Sequence, residues 1–216
     1  MTEAEELESG ADALGVRLNA SQIESLIRFA TLLRRWNNAF NLVSHRDVPR
    51  LAARHLLDAL SLVPMIVGRR VLDLGTGAGL PGIPLAIARP DIEFTLLDRS
   101  ERRIRFVRQA TLDLSLPNVD PVSADYADFR PGILFDTVVS RAVAKPAALW
   151  RDAANLLAPD GIALFQVGAL ERDSDLPGTN VESVSVRIPG LEQLHRVLRV
   201  RRRAATPNLV PQDADR

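Results

Sequence analysis

The sequence predicts a doubly wound α/β fold. The sheet is mostly parallel, with antiparallel strands at its C-terminal end and a helical extension at its N-terminal end. Three observations predict it. Short apolar runs alternate with amphipathic stretches from residue 70 onward, the pattern of a parallel sheet covered by helices on both faces. The first run, Val71-Leu72-Asp73-Leu74, breaks into Gly75, Gly77, Gly79 and Gly82, a strand, glycine turn and helix suited to a nucleotide-like ligand. The last two runs, residues 181–188 and 195–200, alternate apolar and polar residues around Pro189-Gly190, which marks an antiparallel pair.

Each element has its own signal. Over residues 21–40, Ile23, Leu26, Ile27, Ala30, Leu33, Trp36 and Phe40 recur every three or four positions, which predicts a helix capped by Asn19 or Ser21. A connector over 41–47 leads to a second helix over 49–62, with Pro49 tolerated in its first turn. These helices make an N-terminal extension of residues 1–65, followed by a ligand-binding domain over 66–204. Strands are predicted at 70–74, 93–97, 119–122, 135–140 and 162–167. Helices are predicted at 82–88, 101–114 and 145–157, the last stopped by Pro159-Asp160-Gly161. The polar tail over 205–216 is expected to be disordered.

Composition bounds the chemistry. The chain has 216 residues, 46% of them hydrophobic, which suits one globular unit with a sizeable core. It has no cysteine, so disulfides, thiol nucleophiles and cysteine-ligated metals are excluded. No apolar run reaches the length of a membrane span and the N-terminus is acidic, so a cytoplasmic protein with no membrane partner is expected. The formal net charge is zero, which does not favour nucleic acid. The kind of basic residue points the other way. Lys145 is the single lysine, and every other basic position is arginine, the better residue for bidentate phosphate contacts.

The glycine loop leaves two cofactors in competition. Gly77-Ala78-Gly79-Leu80-Pro81-Gly82 matches the dinucleotide pattern G-x-G-x-x-G, and Asp98 follows about 20 residues later, as a ribose-binding acid does. Asp73 opposes that reading, because a carboxylate aimed into the crevice would repel a pyrophosphate at the helix N-terminus. It suits a cofactor with a cationic group there, and S-adenosylmethionine carries a sulfonium and an amino group but no phosphate. The chemistry therefore favours a fold of the class I S-adenosylmethionine-dependent methyltransferase type, with Asp73, Gly75, Gly77, Gly79 and Asp98 around the cofactor.

Further motifs narrow the choice. Trp36-Asn37-Asn38-Ala39-Phe40-Asn41-Leu42-Val43-Ser44, Arg54-His55-Leu56-Leu57-Asp58-Ala59-Leu60, Leu80-Pro81-Gly82-Ile83-Pro84 and Val139-Ser140-Arg141-Ala142-Val143-Ala144 occur together. In these the chain resembles the GidB/RsmG family, bacterial enzymes that methylate N7 of a guanine in 16S ribosomal RNA. The resemblance spans residues 36–200. It implies that Gly75 and Leu80 line the cofactor pocket, that Asp98 holds the ribose, and that Tyr126-Ala127 takes the place of an adenine-contacting pair. It also implies that Arg141 is the catalytic residue, beside cofactor and target base. Three positions depart from the family's pattern. Tyr126-Ala127 replaces Ala-Glu or Val-Glu, Gln166 replaces a lysine, and His195-Arg196 reverses an Arg-His pair.

Guanine N7 has an exposed lone pair, so methyl transfer to it needs positioning and electrostatics rather than a general base. The sequence shows no general-base constellation and no metal-ligand spacing. RNA contacts are expected from Arg46, Arg54, His55, Arg196 and Arg199, with Arg34, Arg35, Arg50 and the arginines up to Arg203 as further candidates. The expected partner is 16S rRNA or the small ribosomal subunit, bound by a monomer. The alternatives are a methyltransferase acting on another RNA or a small molecule, an NAD-dependent oxidoreductase, and a non-catalytic cofactor-binding module for RNA assembly.

Overall fold

A computed structural model describes residues 2–141, 145–168 and 176–203, apart from the side chain of Ala53. The expected disorder at 205–216 lies outside them. Seven strands form one sheet in the order β3-β2-β1-β4-β5-β7-β6: β1 Arg70–Leu74, β2 Glu93–Asp98, β3 Val119–Ser123, β4 Phe135–Arg141, β5 Leu157–Val167, β6 Thr179–Arg187 and β7 Leu194–Arg202. Strands β1 to β5 pair in parallel, and β7 runs antiparallel to both β5 and β6. Strand order reverses between β1 and β4, and in such sheets ligands bind at the carboxyl ends of the strands flanking that point.

The helices are α1 Glu3–Ala13, α2 Ala20–Phe40, α3 Asp58–Leu60, α4 Gly82–Ala88, α5 Glu101–Asp113 and α6 Pro146–Ala154. Two apolar clusters result. One joins Leu26, Phe29 and Leu33 of α2 with Ile83, Leu85 and Ile87 of α4 and Phe94 and Leu96 of β2. The other packs Leu149 and Ala153 of α6 against Leu72, Val138, Phe165 and Leu198 on the opposite face of the sheet. That division follows from the strand period of two, by which adjacent side chains leave the sheet on opposite sides.

Helix α2 begins with the expected cap. The Asn19 side chain accepts from the Gln22 backbone amide, and the Gln22 side chain accepts in turn from the Asn19 backbone amide. Three parts of the chain differ from expectation. Helix α1 lies in a stretch whose acidic composition masked it, although Thr2 and Glu5 form the same reciprocal cap and Gly10 lets the helix pack on Leu57. The helix expected over 49–62 is instead a 3-10 turn Val48–Arg50, a π-helical turn Ala52–Leu57, α3 and a 3-10 turn Val63–Met65. Helix α6 ends at Ala154, and Pro159-Asp160-Gly161 lies inside β5 as an irregularity in its pairing with β4, not as the stop of a helix.

Candidate active site

The glycine loop follows β1 at the reversal point. Gly75 and Gly77 take φ of 78° and 58°, conformations that disfavour side chains and let the loop turn back along the ends of β1 and β2. The loop is anchored by Asp73 from below. Asp73 Oδ2 accepts from the Thr76 hydroxyl at 2.6 Å and from the Gly82 amide at 2.8 Å, at the start of α4. A Cβ on Gly82 would lie 2.7 Å from that oxygen and 2.7 Å from Leu96 Cγ, so only glycine allows the helix this close to the sheet. Asp73 is fully buried, and its other oxygen has no partner among the described residues. Burial pushes its carboxyl up to about 6, against the pull of the Thr76 and Gly82 hydrogen bonds.

This placement corrects one expectation. Asp73 does not project into the crevice; the hydroxyl and amide donors of the loop hold it behind the loop, and it is absent from the cleft wall. The argument against a dinucleotide becomes stronger for it. The carboxylate itself occupies the Gly82 amide at the helix start, the position a pyrophosphate would need.

Above the loop lies a cleft of about 430 Å³, within the usual range for a small-molecule site. Its walls include Leu42, Val43, Gly75, Thr76, Gly77, Ala78, Leu80, Leu97, Asp98, Ala124, Tyr126 and Arg141. Of the expected cofactor residues, Gly75, Gly77, Leu80, Asp98, Tyr126 and Arg141 meet here. Gly79 does not: at φ 76° it shapes the loop, and its missing Cβ makes room for Ile83. Ala127 lines a neighbouring groove with Phe129 and Leu134 instead. Asp98 is nearly buried, with Oδ2 accepting from the Gly77 amide at 2.9 Å and Oδ1 from the Ser100 amide at 2.8 Å. Each oxygen of a carboxylate has a second lone pair, so Asp98 retains acceptor capacity for a ribose. Arg103 and Arg99 stand at the rim, Arg103 within 3.4 Å of Asp98.

The residues fit S-adenosylmethionine. Asp98 offers acceptors for a ribose diol, and Leu80, Leu97 and Ala124 offer apolar surface for a base. The half-paired, buried Asp73 puts uncompensated negative charge beneath the loop, where a sulfonium and an ammonium group would balance it.

A second cavity, of about 310 Å³, adjoins the first, and Arg141 at the end of β4 lines both. Its wall is built around Asp58. The π-helical turn carries His55 into it and α3, which follows directly, carries Asp58; such turns often mark functional sites. Asp58 Oδ1 accepts from His195 Nδ1 at 2.7 Å and from Gln166 Nε2 at 3.1 Å, while Oδ2 lies 3.6 Å from Arg141 Nη1. Arg141 Nη1 also donates to His55 Nδ1 at 2.9 Å. Because a guanidinium only donates, that bond fixes the His55 proton on Nε2, which faces Asp47 at 3.7 Å without a hydrogen-bond partner among the described residues. Burial, assisted by Arg141, lowers the His55 imidazole to about 4. His55 is therefore neutral near pH 7, a packed partner of Arg141 rather than a cation for phosphate.

The remaining RNA candidates separate. Arg54 lines the second cavity, loosely paired with Asp47 at 3.8 Å, and Arg46 is exposed on the adjoining loop. Arg196 and Arg199 are three apart on β7 and leave opposite faces of the sheet. Arg196 bonds Ser183 and Arg199 pairs with Glu182, both on β6. Arg202 and Arg203 are tied to the carbonyls of Ala158 and Thr179, Arg50 to that of Gly190, and Arg34 to Glu3. Arg35 lies in a separate groove with Trp36 and Phe40. The C-terminal arginines thus join the last strands to their neighbours. Sequence reasoning missed Asp58, Asp47, Thr76, Leu42, Val43, Arg99 and Arg103 as site residues. The spacing of Asp58 three residues after His55 was the available signal.

Comparisons with known proteins bear on the family and the fold. The family model described as rRNA small subunit methyltransferase G, GidB, matches residues 22–189. Ribosomal RNA small subunit methyltransferase G of Methylococcus capsulatus is 46% identical over 189 residues, covering 86% of this chain and 92% of that protein. The protein of the same name from Nitrosococcus oceani is 40% identical over 203 residues, covering 92% and 95%. Among solved structures, magnesium protoporphyrin IX methyltransferase from Synechocystis with bound S-adenosylmethionine superposes with a TM-score of 0.57 at 18% identity, over 81% of this chain and 97% of that one. TrmN from Thermus thermophilus gives 0.52 at 22% identity, over 72% and 52%. The fold is that of the class I S-adenosylmethionine-dependent methyltransferases.

Proposed function

The chain belongs to the rRNA small subunit methyltransferase G family, and from that premise we propose that it transfers a methyl group from S-adenosyl-L-methionine to N7 of a guanine in 16S ribosomal RNA. The observation that carries this reading is the pair of adjoining cavities with Arg141 between them. One cavity fits the cofactor, the other is open to a base, and the shared arginine stands where the two would react.

When bound, the cofactor supplies an electrophilic methyl on a positively charged sulfur. The protein's residues supply place and field. Asp98 would hold the ribose of the cofactor, Leu80 and Tyr126 would flank its base, and Asp73 supplies negative charge beneath the loop. Arg141 donates to the guanine O6, beside the N7 lone pair, and so aligns the nucleophile. His55 and Asp58 are positioning residues that hold the guanidinium in that direction. No side chain needs to remove a proton, since N7 carries none. Arg54 in the cavity wall and Arg46 on the adjoining loop, with Arg99 and Arg103 at the cofactor rim, supply cations for the phosphates around an extruded nucleotide.

The test is incubation with methyl-labelled S-adenosylmethionine and small ribosomal subunits or their extracted RNA. Label is expected in the RNA, with transfer that weakens steeply as salt is raised. Tight cofactor binding without any label in RNA would favour a small-molecule substrate and refute the proposal.

A further inference from the structure

We propose that His195 is a further RNA-binding residue, its protonated Nε2 donating a hydrogen bond to a phosphate beside the target guanine. This contact rests on the proposed function and adds to it a dependence of RNA binding on pH.

His195 lies near the start of β7, where the second cavity meets solvent. Gln193 and Leu194 beside it are exposed and line the same cavity. The ring is fixed from within. Nδ1 donates to Asp58 Oδ1 at 2.7 Å. Gln166 Nε2 steadies that acid, donating to its Oδ1 at 3.1 Å and to its backbone carbonyl at 2.9 Å. With Nδ1 committed to Asp58, Nε2 is the ring nitrogen left to act on a ligand. It has no hydrogen-bond partner among the described residues, and 21% of the side chain is exposed. His55 differs in this respect, because its Nε2 is unpartnered but sealed from solvent.

The fixed charges of the cavity do not favour a phosphate. Arg54 and Arg141 face it, and so do Asp47 and Asp58, so the two signs balance. His55 is neutral near pH 7. The remaining neighbours of His195 bring no charge to the cavity. Gln166 on β5 is neutral, and Val186 is the cross-strand partner on β6. Arg196 leaves the other face of the sheet and bonds Ser183, and Glu192 is exposed in the preceding turn, outside the cavity wall. Histidine is the side chain whose charge changes between about pH 5 and 8. A proton on Nε2 tips the balance to positive. It also turns a lone pair that repels phosphate into a charge-assisted donor.

The experiment measures KM and kcat for small ribosomal subunits at pH 6 and pH 8, with methyl-labelled S-adenosylmethionine saturating throughout. The RNA phosphodiester is an anion at both values. Wild-type KM is expected to rise about tenfold from pH 6 to pH 8, the loss of one hydrogen bond between charged groups. Calorimetry first confirms that His195→Gln and His195→Arg bind cofactor. Glutamine is never charged and should give the high KM at both pH values. Arginine is always charged and should give the low KM at both. Either side chain can still donate to Asp58, so kcat should stay within about threefold of wild type at the same pH. A wild-type KM equal at the two pH values would overturn the inference, as would a tenfold rise retained by either variant. Variants that lower kcat and leave KM unchanged would also overturn it, since His195 would then only hold Asp58. No transfer at either pH by a wild-type protein that binds S-adenosylmethionine would overturn the proposed function, and the inference with it.

Discussion

Asp73→Asn isolates the cost of the buried carboxylate beneath the glycine loop. The native carboxyl is raised from 3.8 to about 6 because the group is fully buried, with one oxygen unpartnered. Asparagine keeps an acceptor for Thr76 and Gly82 and resembles the protonated acid in charge. A folded-state pKa above the unfolded value means that wild-type stability from this group is complete below pH 3.8 and lost as pH rises through 6. The shift corresponds to about 3 kcal/mol. The two proteins should therefore unfold at nearly the same urea concentration at pH 4, and at pH 8 the asparagine variant should be more stable by about 3 kcal/mol. The variant should also bind S-adenosylmethionine more weakly, because the charge under the cationic groups is gone. Paired urea titrations at the two pH values, with calorimetry of the cofactor, measure both effects. A variant no more stable than wild type at pH 8 would refute the claim that Asp73 is a carboxylate retained at a cost in stability.

Three further outcomes follow from the same contacts. His55→Gln should flatten the acid limb of stability: the native imidazole titrates at about 4 instead of 6.5, so its contribution of about 3 kcal/mol is complete above pH 6.5 and lost as pH falls toward 4. That slope opposes the one from Asp73, and pH-dependent urea unfolding of the single and double variants should separate them. Gly82→Ala should destabilise the fold by about 1–3 kcal/mol, since the added methyl meets both Asp73 and Leu96, and circular dichroism melts will register it. Arg141→Lys should leave cofactor affinity within a few-fold of wild type while methyl transfer falls by about 100-fold, because an ammonium cannot reproduce the guanidinium held between His55 and Asp58.

Most of the fold was legible because its signals are local. The strand starting at Arg70, the glycine turn and the helix from Gly82 to Ala88 are each fixed by a few adjacent residues, and they occur where expected. Helix α1 was hidden because it buries only Leu7, Gly10 and Ala11, too short an apolar face to stand out in a stretch of acidic composition. The π-helical turn at Ala52–Leu57 was hidden for a related reason. An apolar pattern near a period of 3.6 fits an α-helix as well, and the wider turn is seen only once His55 and Asp58 are in the cavity. Of the site, the cleft residues Gly75, Gly77, Leu80, Asp98, Tyr126 and Arg141 were legible from strand ends and motif. The Asp58 cluster was not, because its members come from residues 55 to 195 and meet only through the sheet order. The arginines at 196–203 show the limit of charge counting, since a run that suggests a phosphate surface is largely engaged in pairing its own strands.

The central claim is that two cavities joined by Arg141 direct a methyl group onto guanine N7. It is tested most directly by identifying the methylated nucleoside. Small subunits labelled by the wild-type protein would be digested to nucleosides and separated by chromatography with mass detection. The account predicts that the label is recovered as 7-methylguanosine from a single site in 16S RNA. Recovery as any other methylated nucleoside, or no label in RNA from a protein that binds S-adenosylmethionine, would contradict it.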